Sequence, residues 1–176
     1  MNILTFEEVE AAKKLIPEPS IKRLERDYGD AGPWKRTWMY FTVSNKFMIV
    51  EDWYFTLPGG QQGLIKHGFI YDGASIPFFA RPLMIAFGAL HRAGGIHDYG
   101  YRFNHLRDWE GDKIYVDKGK KYFDTLFRNI GAYTSHLKGL AGTAWLAVKW
   151  FGKKSWKKHR KNNLTDDYLF EKQADE

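Results

Sequence analysis

The sequence predicts an α+β domain, with a small antiparallel sheet in the N-terminal half packed beside a bundle of about three helices in the C-terminal half. Three observations predict it. As far as about residue 71, short runs rich in β-branched and aromatic residues are separated by turn clusters. From about Pro82 the apolar residues recur at helical spacing, with glycines where helices would stop. A chain of 176 residues, 44 % hydrophobic and 17 % aromatic, is long enough for one core and short for two. The expected layout is a single domain over 1–176: a helix and loop over 1–35, the core over 36–152, and a basic then acidic tail over 153–176.

Thr5 to Ile16 reads as a helix, capped by Thr5, with Glu7 and Glu8 in its first turn and Pro17 and Pro19 beyond its end. After a loop and the turn cluster GDAGP (29–33), WKRTWMYFTV and KFMIVEDWYFTL predict an antiparallel hairpin split at Ser44-Asn45. PGGQQG (58–63) turns the chain, and LIKHGFIYDGASIP supplies one more short strand. The helices are expected over Arg81–Phe103, broken near Gly94-Gly95, over Gly119–Ile130, ending at Gly131, and over His136–Phe151, ending at Gly152. The polar stretch NHLRDWEGDKIYVDK between the first two predicts an exposed loop.

Composition narrows the function. With no cysteine, disulfides and thiolate metal sites are excluded. The N-terminus MNILTFEEVEAAKK lacks the basic start and apolar run of an export signal, so none is expected. The longest apolar stretch, 140–152, contains Lys149 and is far below the ~20 residues that span a bilayer, so no transmembrane helix is expected. The net charge of +6 is local, because KKSWKKHRK (153–161) holds six Lys or Arg and no acid, which equals the whole excess. Such a run is either a solvated helix end or a docking point for lipid headgroups or nucleic acid.

The motif that bears on chemistry is GGIHDYGYRF (94–103). On a helix, His97 and Tyr101 share a face and Asp98 lies about 100° round from His97. Two glycines there each destabilise a helix by roughly 1 kcal/mol relative to alanine, which calls for a close approach of backbone or ligand. In KKYFDTLFRNIG, the apolar stripe Phe123, Phe127, Ile130 has Asp124 at its edge, and a carboxylate so placed wants a partner. If Asp124 accepts from one nitrogen of His97, the other nitrogen is left as a general base. The same residues also suit a satisfied hydrogen-bond network tying two helices together. Upstream, GFIYDGASIP makes a turn at Asp72-Gly73 that can face an ion or cap the following helix, with Ser75 as cap or donor and Pro77 stiffening the exit.

In order, GFIYDGASIP, GGIHDYGY, YFDTLF, AVKWFG and Trp156 resemble the family catalogued as domain of unknown function 1353, over about residues 36 to 156. The resemblance implies a phage or prophage setting, hence a host cytoplasm or virion location and other virion proteins as partners. More distantly, HDxxY with an Asp on a second helix is similar to the centre of phospholipase A2 enzymes. That likeness implies His97 as the base that activates water, Asp124 and Tyr101 as its supports, Asp98 and Asp72 as ligands of Ca2+, and Tyr71, Gly73 and Ser75 in the calcium-side loop. The chain departs from that pattern by lacking the flanking cysteines and the glycine-rich calcium loop.

Three functions are therefore expected to compete. The first is a His-Asp hydrolase acting on a phospholipid or other ester. The second is a virion structural or assembly protein in which the His-Asp-Tyr cluster is a network. The third is a binding module that docks on anionic lipid or, less well supported by any motif, on nucleic acid. Its candidate surface is Lys153, Lys154, Lys157 and Lys158, with Lys149 and Trp145, Trp150 and Trp156 beside them. Leu146, Val148 and Phe151 on the same helix equally suit ordinary core packing.

Overall fold

The computed structural model describes residues 5–25, 30, 32–34, 46–71, 89–134 and 138–171. Helix α1 (Phe6–Leu15) begins as its sequence requires: Thr5 Oγ1 accepts from the Glu8 amide, and the Glu8 carboxylate accepts from the Thr5 amide at 2.6 Å. Next come β1 (Ile21–Arg23), β2 (Phe47–Ile49), β3 (Trp53–Thr56), β4 (Gln62–Ile65) and β5 (Ile70–Tyr71). Then α2 (Ala89–Phe103), β6 (Leu106–Arg107), β7 (Lys113–Ile114), α3 (Lys120–Tyr133), α4 (Lys138–Asn162) and α5 (Tyr168–Glu171) complete the described elements. Among the described residues all strand pairs are antiparallel, in two sheets ordered β1-β2-β5 and β3-β4-β6-β7. The α+β class stands.

Several boundaries differ from those the sequence predicts. The first arm of the expected hairpin falls almost wholly outside the described residues. KFMIVEDWYFTL is two strands in two sheets, because the chain turns at Val50–Asp52, where the Asp52 carboxylate takes Lys66 Nζ at 2.6 Å and the His67 amide at 3.0 Å. Those bonds outweigh the cost of burial and hold the Asp52 carboxyl at about 2. LIKHGFIY likewise gives two strands, β4 and β5. The PGG turn is tighter than expected: Leu57 N–H donates to Gln61 O at 2.7 Å, and Gly59 and Gly60 take left-handed φ values of 116° and 87°.

The polar stretch after α2 is not a bare loop. β6 pairs with β4 and β7, and Leu106 is fully buried. Its polar composition hid this because the side chains of Arg107 and His105 are met by Asp166, some sixty residues later. The glycines misled as helix stops: α2 runs unbroken through Gly94-Gly95, α3 passes Gly131, and α4 passes Gly152 to end at Asn162. Gly100 and Gly152 are points of close approach. A Cβ on Gly100 would stand 2.2 Å from the Phe123 ring, and one on Gly152 would stand 2.6 Å from the Tyr101 hydroxyl. Both glycines let α2 sit tightly against its neighbours.

The core lies between the sheets and α2, α3 and α4, and is built of large rings: Trp53, Phe55, Phe69, Tyr71, Tyr99, Phe103, Phe123 and Phe127. Gly100 meets Phe123 while His97 meets Phe127, so α2 and α3 run antiparallel. Lys120 meets Val148 and Lys149 while Arg128 meets Trp145, so α3 and α4 do too. This arrangement brings the polar residues of α2 and α3 face to face.

Candidate functional site

Helix α2 presents His97 and Tyr101 one turn apart on the face turned toward α3, their rings 4.0 Å apart between centroids. Opposite them, α3 carries Asp124 between Phe123 and Phe127, both fully buried, so its carboxylate is carried into the seam. His97 Nε2 lies 3.3 Å from Asp124 Oδ1, and His97 Nδ1 lies 3.4 Å from Asp98 Oδ1. The Tyr101 hydroxyl donates to Asp124 Oδ1, and Lys120 Nζ donates to Asp124 Oδ2 at 2.5 Å. Lys120 also reaches the carbonyls of Val148 and Lys149, at 3.4 and 3.2 Å, so the cluster joins three helices.

The cluster is dry. His97 is 2 % exposed, while the Asp98 side chain keeps 12 %. Burial disfavours a charged imidazole, but the hydrogen bonds and charges of Asp124 and Asp98 outweigh it and raise the pKa of His97 above its ordinary value. Burial likewise opposes a charged Asp124, and the bonds from His97, Lys120 and Tyr101 overcome it and hold that carboxyl below its ordinary value. The Tyr101 phenol is pushed up by burial and by Asp124, so it remains a donor. The pairing thus favours the charged forms of both His97 and Asp124.

The bond lengths are graded. Lys120 and Tyr101 grip Asp124 closely, whereas both contacts of the imidazole lie beyond the usual 2.7–3.2 Å of an N–H···O bond. The carboxylate is held most closely by Lys120 and Tyr101. Beside this seam, the Tyr71 ring end would be 3.9 Å from a Cβ on Gly95, one turn before Asp98 on α2. Its hydroxyl is buried with no hydrogen-bond partner among the described residues, and burial together with the Asp98 charge keeps it protonated.

Of the residues singled out from the sequence, His97, Asp98, Tyr101 and Asp124 meet in one cluster, with Tyr71 at its border. Asp72, Gly73 and Ser75 lie outside the described residues. Among the described residues no group of three or more His, Cys, Asp or Glu is placed to hold a metal ion. Asp98 alone falls short of the six to eight oxygens calcium takes, so the described residues do not make up a calcium site. Lys153, Lys154, Lys157 and Lys158 are on the outer side of α4, away from the seam. Lys120 was missed, although its place four residues before Asp124 on a helix was a visible signal.

A second buried cluster was also missed. Asp166, fully buried, accepts from Tyr99 Oη, from His105 Nε2 at 2.9 Å, and from Arg107 Nε and Nη2 at 2.9 and 2.7 Å. Arg107 also donates to the Gly111 carbonyl and to Asp167. Burial is again overcome, by Arg107 first, and the Asp166 carboxyl is held far below its ordinary value. This clasp fastens the segment after α4 to the strand-bearing half. Its partners are 59 to 67 residues apart, beyond any local pattern.

The family described as Protein of unknown function (DUF1353) matches residues 47–148, more than half of the chain. The chain belongs to that family. The match takes in the whole His97 cluster and leaves Asp166 and the basic run of α4 outside it. No curated protein and no solved structure matches the chain.

Proposed function

We propose that this member of the family is a phage-encoded hydrolase in which His97 activates water for attack on an ester, with phospholipids as the first substrate class to test. The contrast between the two buried carboxylates carries this reading. Asp166 is closed: several short bonds, each satisfied, as a scaffold requires. Asp124 is anchored by Lys120 and Tyr101, yet the imidazole beside it is held only at 3.3 and 3.4 Å. A fixed carboxylate behind a loosely held imidazole is the arrangement of a base and its orienter, and such bonds tighten when substrate binds.

In the proposed step, water displaces the 3.4 Å contact of Asp98 at Nδ1, and neutral His97 takes a proton there from that water while the water oxygen bonds to the ester carbonyl carbon. Asp124, on Nε2, stabilises the imidazolium that forms. The tetrahedral intermediate then collapses, the bond to the alcohol oxygen breaks, and the imidazolium returns its proton to the leaving oxygen. No step is assigned to a metal ion. Turnover of phospholipid vesicles and of small chromogenic esters, with calcium and with chelator, is compared for the wild type and His97→Ala. Loss of a base lowers the rate by about 10² to 10⁴. Wild-type turnover no higher than that of the folded variant refutes the proposal.

The near-complete burial of His97, with both ring nitrogens facing carboxylates, supports a second reading, that of a virion structural or assembly protein tied together by a charge-balanced network. On that reading His97→Ala lowers the melting temperature without any loss of turnover, and the protein co-sediments with phage particles.

A further inference from the structure

We propose that the outward face of α4 docks on the surface of an anionic lipid bilayer. The structure divides the aromatic residues of this helix. Trp156 turns inward against Tyr101, with ring centroids 5.1 Å apart, and Arg160 turns inward to the carbonyls of Tyr101 and Arg102 at the end of α2. Trp150 points outward, 71 % exposed, with Leu146, 40 % exposed, one turn before it. At 100° per residue, Leu146, Trp150, Lys153 and Lys157 fall within an arc of about 60°, and Lys154 and Lys161 border it. All four of these lysines are exposed, and none of the ion pairs given for the described residues uses them.

The helix contains no acid anywhere from Lys138 to Asn162, so this face is uniformly positive. A bare tryptophan and leucine continuing into a lysine row is the pattern of a helix lying in the headgroup plane, rings at the interface and ammonium groups on the phosphates. It lies on a membrane and does not cross one: no helix among the described residues is long and apolar enough to span. Nucleic acid would complement the lysines, but the outward leucine gives it nothing, which favours the bilayer. The proposal does not depend on turnover at His97. The lysines are better tested by substitution than by deleting 153–161, since that deletion would also remove Trp156 and Arg160 from the core.

The full chain is floated with vesicles of phosphatidylcholine alone or mixed with phosphatidylglycerol. Binding is expected only to the anionic vesicles and is expected to be lost in about 0.5 M salt. Lys153→Gln/Lys154→Gln/Lys157→Gln is expected to weaken it about a hundredfold, and Trp150→Ala about tenfold, with unchanged circular dichroism and melting. Equal binding to neutral vesicles, no binding to anionic ones, or full binding by the folded variants overturns the proposal. So does a gel shift with single- or double-stranded DNA in the absence of vesicle binding.

Discussion

Replacing Asp124 by Asn keeps the volume of the side chain and removes the charge on which His97, Tyr101 and Lys120 converge. Little solvent reaches the carboxylate to take the place of the lost charge, because the His97 and Asp124 side chains are buried, while Lys120 keeps 19 % of its exposure. Losing one member of a buried charge cluster leaves the others uncompensated and costs about 3–5 kcal/mol. The pH dependence gives a sharper signature. The folded pKa of His97 is raised above 6.5, so its pairing stabilises fully below that value and is lost as pH rises through the folded pKa. The folded pKa of Asp124 is lowered below 3.8, so its contribution is present above that value and lost as pH falls through the folded pKa. The stability gap between wild type and variant should therefore be widest between about pH 4 and 6.5, narrow above as the imidazolium deprotonates, and close in acid. Urea unfolding followed by circular dichroism at a series of pH values measures the gap, with equal slopes showing that the unfolded reference is unchanged. A loss under about 1 kcal/mol, or a gap that does not vary with pH, would refute the reasoning.

If His97 acts as the proposed base, its raised pKa requires that kcat/KM climb with pH above 6.5 as the imidazole becomes neutral; a profile flat from pH 6 to 9 counts against the role. Asp166→Ala leaves Tyr99 and His105 without their shared carboxylate and is expected to cost about 3–5 kcal/mol, roughly a 10 °C fall in melting temperature, without altering the pH dependence attributed to His97. Gly100→Ala should destabilise by about 1–3 kcal/mol despite alanine's better helix propensity, because its Cβ meets the buried Phe123 ring at 2.2 Å, and a calorimetric scan of the variant decides the sign.

The α+β class, the capped first helix and the residue types of the His97 seam were legible in the sequence because each rests on local spacing: Thr5 with Glu8, His97 with Tyr101, Asp124 beside Phe123 and Phe127. Even the partnership of His97 with Asp124 could be anticipated, since a carboxylate at the edge of a buried stripe must find a donor. Only the tertiary structure decided what the glycines do and which charges meet at long range. Gly152 reads as a helix stop until α4 is seen to lie against Tyr101, and Arg107 reads as a solvated loop residue until Asp166 arrives from α4's far end. The physical reason is the same in both cases. Periodicity along a chain reports which face of an element is apolar, whereas the distance between two elements, and hence who satisfies a buried charge, is set by packing among segments that share no local pattern.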